Sequence, residues 1–200
     1  MFRTSTQKKD ERERVRAGLL RAALRLGAAH GFASLGLREV AREAGIAPTS
    51  FYRHFADMHE LGSALSGDLV GAAIGDVCQA LGKHRGPWAT PLWDAMYGAG
   101  VRDPELMRFF VAERVGASAS LRASLQQQLT RLAKAVSDAS GASAVAAEVA
   151  VVLLLDASAR ALDETEEQRT ALRDSCVWAI DRLLAPVSDL PARKSGKVAS

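Results

Sequence analysis

Apolar residues recur along this chain at the three- and four-residue spacing of helices, in segments closed by glycine, proline or small polar residues. From about Lys9 to His30, the residues Val15, Leu19, Ala22, Leu26 and Ala29 form one stripe, and Gly31 follows as a stop. Leu37, Val40, Ala41 and Ala44 mark a short second helix with Arg38, Glu39, Arg42 and Glu43 on its other side. Gly45 ends it and Ile46 fills the corner. Pro48 suits the first turn of a third helix, where its missing N–H costs nothing, and Phe51 and Phe55 give that helix an apolar face. Asp57 with Glu60 reads as the capping box of a fourth helix that runs to about Leu81.

The segment from Gly82 to Pro91, with Gly86 and Pro87, reads as a break before a shorter helix over roughly Leu92 to Gly100. Asp103-Pro104-Glu105 supplies a cap, an N1 proline and an acid for a helix carrying Leu106, Phe109, Phe110 and Val111. Leu121, Leu125, Leu129, Leu132 and Val136 line a helix from about Ser118 to Ser140. Ala144 to Leu162 is apolar nearly all round, so it is expected to be buried on several sides. Thr165 and Gln168 form a capping box for a last helix striped by Leu172, Cys176, Ala179 and Leu183 and ended by Pro186. No segment alternates as a strand does. The pattern predicts an all-α fold of about nine helices.

Leu37 to Phe55 has the plan of a helix-turn-helix, whose second helix reads the DNA major groove. Beside Pro48, its outward set is Thr49, Ser50, Tyr52, Arg53 and His54, with Arg38 on the preceding helix. Arg53 can meet a guanine edge bidentately or pair with a phosphate. Thr49 and Ser50 can touch bases or phosphates, and Tyr52 and His54 are phosphate donors. The same spacing also suits a helical pair in an ordinary bundle, with Tyr52 and Arg53 as surface residues.

Charge favours DNA. The net charge is +3, but residues 1–56 hold 11 Lys and Arg against 5 Asp and Glu, which is +6, while the remainder holds 15 against 18, which is −3. A basic pole beside a mildly acidic body fits phosphate binding. The arm Arg3, Lys8, Lys9, Arg12, Arg14 and Arg16 can touch the backbone or enter a minor groove.

With 48% hydrophobic residues the chain can bury a substantial core. No apolar run approaches the roughly 20 residues of a membrane span, and the N-terminus lacks a signal-peptide centre, so a cytoplasmic, nucleoid-associated location without membrane contact is expected. Cys78 and Cys176 lack metal spacing and read as reduced thiols on apolar faces. The histidines form no ligand cluster. Without a phosphate loop, nucleophile elbow or metal set, the sequence predicts neither an enzyme nor a cofactor.

Residues 32 to 62, containing SLGLREVAREAGIAPTSFYRHFADMHELG, resemble the DNA-binding domain of TetR-family transcriptional regulators. More narrowly, they are similar to the FabR and DesT repressors of unsaturated fatty acid synthesis. The run Glu113-Arg114-Val-Gly116-Ala-Ser118, followed by Leu121-Arg122, is similar to one in those repressors. Two departures stand out. Ala47 replaces the Ser or Thr that caps the recognition helix in many members, a loss of roughly 1 kcal/mol. Met58 stands where many carry a phosphate-contacting Lys, and His59 is the neighbouring substitute.

The resemblance implies a three-helix head over residues 1–56 and a ligand-binding and dimerisation body over 57–186, while residues 187–200, with Arg193, Lys194 and Lys197, read as a basic, disordered tail. It implies a homodimer reading a palindromic operator in double-stranded DNA, with long-chain acyl-CoA, a small apolar ligand, as effector. Trp88, Trp93, Met96, Phe109, Phe110 and Leu125 are then candidate acyl-tunnel residues, and Arg114 a candidate for the headgroup. Val145, Val149, Val152, Leu172, Cys176 and Leu183 are the candidate dimer face. A repressor of efflux or catabolic genes sensing an aromatic or drug-like compound is the alternative.

Overall fold

The computed structural model describes residues 5–82, 84 and 86–185. Arg3, the side chain of Lys8, Pro186 and the basic tail lie outside the described residues. Among those described, the fold is helical throughout: α1 (Ser5–His30), a 3-10 turn (Phe32–Ser34), α2 (Leu37–Glu43), α3 (Pro48–Phe51), α4 (Met58–Ala64), a π-helical segment (Leu65–Val70), α5 (Gly71–Gly82), α6 (Ala89–Arg102), α7 (Pro104–Glu113), α8 (Ala119–Ser140), α9 (Ala144–Ala161) and α10 (Glu166–Leu183). Since Met58–Gly82 runs as one rod, these make nine helices.

The head is α1 to α3. Leu19, Ala23, Val40, Phe51 and Phe55 close its core, and burying each phenylalanine contributes about 1.5–3 kcal/mol. α2 stops where expected because Gly45 takes a φ of 71°, a left-handed conformation that a side chain disfavours. Ile46 N–H then bonds back to Ala41 C=O at 2.9 Å, which locks the corner. α3 is shorter than the apolar spacing predicts. Its regular part ends at Phe51, and Phe55 is held beyond it by a single N–H to Phe51 C=O at 3.1 Å.

The body begins at Asp57, whose Oδ1 accepts from Glu60 N–H at 2.8 Å, while the Glu60 carboxylate reaches back to the N–H of Ala56. The rod that follows, Met58–Gly82, ends close to where the sequence reading places it. At 25 residues, it is long and apolar enough to cross a bilayer on length and composition alone. Here Leu61, Leu65, Val70, Ile74, Val77 and Leu81 are all buried in the core. Its polar interruptions Ser66 and Asp68 hid it from a count of consecutive apolar residues.

α6 also begins earlier than expected. Pro91 falls in its first turn, where no intrahelical N–H bond is lost. α7 starts as the Asp103-Pro104 pair requires, with Asp103 Oδ1 accepting from Leu106 N–H at 3.1 Å. The Thr165–Gln168 capping box of α10 forms in full. α9 packs between α8, α10 and α6, and α7 lies against α1, so the head docks on the body through α7.

α9 is buried on several sides, as expected, but one stripe stays open: Val145 is 72% exposed and Val149 48%. Within one chain no neighbouring helix covers this stripe.

Candidate nucleic-acid interface

The head presents one basic face. Gly45 and Pro48 set the short α3 at an angle to α2, and Phe51 and Phe55 anchor it inward, so the intervening residues point out. Pro48, Thr49, Tyr52 and Arg53 are exposed, and Ser50 and His54 half-buried. Arg38 is exposed on α2. Tyr52 is held edge-on against the Phe51 ring, with centroids 5.9 Å apart, which presents its hydroxyl end to solvent. Ala47 caps α3 without a side-chain bond; only Ser50 N–H to Ala47 C=O, at 2.8 Å, closes the turn.

The structure adds α1 to this face. The Arg12 guanidinium donates to the Arg53 carbonyl at 3.4 Å. Glu11, Arg12, Val15, Ile46, Ser50, Arg53 and His54 line a common recess. Of the predicted arm, Arg12 is thus brought to the recognition turn, whereas Lys9 and Arg14 pair along α1 with Glu13 and Glu11. Arg16 stacks over the Phe55 ring and pairs with Asp68 of the π-helical segment. Burial, followed by the charges of Arg12, Arg16 and Arg53, pushes the His54 imidazole below its usual pKa.

Residues 19–65 match the model of bacterial regulatory proteins of the tetR family. This stretch thus matches a DNA-binding domain of that family. Its fold is shared with solved structures of low sequence identity. A TetR family regulator from Marinobacter aquaeolei VT8 is 18% identical, with TM-score 0.63, over 86% of this chain and 97% of that one. The fatty acid degradation regulator FadR from Bacillus halodurans is 14% identical, with TM-score 0.65, over 86% and 96%. Reduced E. coli NemR is 19% identical, with TM-score 0.65, over 86% and 98%.

The body holds a small apolar pocket of about 40 Å³ between α5, α6 and α7. It is lined by Val70, Ala73, Ile74, Val77, Met96, Ala99, Leu106, Met107 and Phe110, with Asp103 at one edge. The candidate tunnel residues are brought together only in part. Met96 and Phe110 line the pocket. Trp93 and Leu125 are instead sealed in the core, Trp93 stacked on Tyr97. Phe109 turns the other way, toward the head, where it meets Phe32 edge-on. Trp88 stands at the start of α6 beside His84. Arg114 is committed to Asp156 through both carboxylate oxygens at 2.8 Å. The missed wall comes mostly from α5, whose Ala73, Ile74 and Val77 look like any core stripe in the sequence.

The candidate dimer residues divide similarly. Val145 and Val149 are exposed, while Val152, Leu172 and Leu183 are half-buried. Cys176 is corrected: with Ile180 it faces inward, 5% exposed, because α10 packs on α9 through that side. Leu153 and Trp178, the latter 62% exposed under the Arg182 guanidinium, extend the outer apolar face instead.

Proposed function

We propose that this regulator is a homodimeric repressor, acting in the cytoplasm on genes of unsaturated fatty acid biosynthesis, whose operator affinity responds to a long-chain acyl thioester held in the α5–α7 pocket. The observation that carries the reading is the wall this pocket shares with the head. Asp103 borders the pocket, caps α7 and pairs with Arg21 of α1. Val70 lies at the end of the π-helical segment whose Asp68 holds Arg16. A chain that spreads α5 from α7 therefore acts on two ties to the DNA-reading head. Such a ligand shifts the equilibrium between head orientations by its differential affinity for them. An apolar lining with one carboxylate suits an acyl chain better than a charged metabolite. The similarity of residues 32 to 62 to fatty acid repressors points to the same ligand class.

In this reading Arg38, Pro48, Thr49, Ser50, Tyr52, Arg53 and His54 form the operator face. Arg53→Ala is expected to lower affinity by about tenfold to a hundredfold, the worth of one bidentate base contact, with circular dichroism unchanged. Wild-type affinity in a gel shift would remove Arg53 from the reading face. Val145, Val149, Leu153 and Trp178 form the face that meets a second copy, which sets two heads on half-sites about one helical turn apart.

Effector identity is tested by titrating palmitoyl-CoA and oleoyl-CoA at micromolar concentration into operator-bound protein and following fluorescence anisotropy. A change in affinity of about fivefold or more is expected, within the usual range of allosteric coupling. Indifference to both chains, with a response to aromatic compounds, would assign the pocket to an efflux or catabolic repressor instead.

A further inference from the structure

Glu113, the last residue of α7, is a carboxylate buried in the body and bonded to the head. It is 3% exposed. Its Oε1 accepts the backbone N–H of Phe32 at 2.8 Å, across 81 residues of chain. Its Oε2 is buried with no hydrogen-bond partner among the described residues. No cation pairs with it there either.

The body grips this side chain closely. Gly116 passes so near that a Cβ on it would stand 2.4 Å from Oε2. The Gly116 carbonyl is in turn held by Arg122 of α8. The neighbouring Arg114 fastens the end of α7 to Asp156 of α9. On the head side, Phe32 opens the 3-10 turn after α1, with its ring packed against Gly62 of α4 and edge-on to Phe109. The bond thus joins a point fixed by α8 and α9 to the corner at which the head leaves α1.

Stability alone does not account for an acid here. A buried carboxylate without a cation carries a desolvation cost, which the single hydrogen bond from Phe32 N–H offsets only in part. What the acid supplies is direction: it accepts one backbone N–H at one angle. We propose that Glu113 is a positioning residue, which holds the DNA-reading head on the body in the orientation that binds the operator. The proposal rests on the operator-reading head, which wild-type binding checks separately.

The test uses full-length protein and a DNA duplex selected in vitro with the wild type. Glu113→Leu removes the acceptor. It is expected to lower affinity about tenfold, as when one molecule in ten holds the competent orientation. Glu113→Gln keeps an acceptor oxygen at the same place and is expected to stay near wild-type affinity. Gly116→Ala, which pushes the carboxylate aside without removing it, is expected to weaken binding as Glu113→Leu does, and it keeps the test open if the leucine variant does not fold. Hydrogen exchange by mass spectrometry is expected to show protection lost at residues 27–35 and 113–118 and retained in α8. Equal affinity for the Leu and Gln variants, wild-type affinity for Gly116→Ala, or uniform loss of protection would overturn the proposal.

Discussion

Operator affinity is expected to fall about ten-thousandfold between 50 and 200 mM salt, on a log–log slope of roughly −7. The estimate follows from the charges on the head. Arg14, Arg16, Arg21 and Arg25 pair with Glu11, Asp68, Asp103 and Glu43. Arg38, Arg42 and Arg53 are exposed and form no ion pair among the described residues, and Arg12 is bonded only to a carbonyl at the recognition turn. In the proposed dimer, two heads on one operator offer about eight cations, each releasing close to one counterion from a phosphate. Anisotropy titrations across that salt range check this. A slope of about half would mean that one head binds at a time, and a flat dependence would reject phosphate binding by this face.

Phe109→Ala is expected to cost about 3–5 kcal/mol of folding stability, the usual penalty for emptying a fully buried phenylalanine site. Phe109 is 0% exposed and lies edge-on to Phe32 with ring centroids 6.5 Å apart. α1 approaches it so closely that a Cβ on Gly27 would sit 2.7 Å from Cε2. The walls are two helices and a 3-10 turn already tied together by Arg21–Asp103 and Glu113–Phe32, so they cannot collapse into the space left behind. Urea denaturation gives the value. A loss below about 1 kcal/mol would show a compliant junction, and a lost ligand response with little destabilisation would return Phe109 to the pocket.

The head was legible in the sequence because its determinants are local. The turn at Gly45, the proline at 48 and the phenylalanines at 51 and 55 act over a few residues, and each has one conformational meaning. Helix caps at Asp57, Asp103 and Thr165 were legible for the same reason, since a cap is a bond between residues three apart. The end of α3 was misjudged because apolar spacing continues through Phe55 after helical geometry has stopped.

The pocket was not legible. Ile74 and Val77 have the spacing of a core stripe, and Phe109 and Phe110 are adjacent on one helix yet face the head and the pocket respectively. Cys176 and Trp178 likewise stand two apart on α10 and end on opposite sides. Helical periodicity gives the angle between such neighbours, but not which side of the helix another element covers.

The sequence by itself determined the helices, their ends, the outward set on the recognition turn and the basic pole, because these follow from local bonding, side-chain spacing and charge. The tertiary structure alone decided that Arg12 reaches the recognition turn, that Asp103 borders the pocket while pairing with Arg21 of the head, and that Glu113 reaches Phe32. Those pairings span dozens of residues, and the last two arise only when α7 packs across α1, an arrangement set by shape complementarity between surfaces with no signature in either segment.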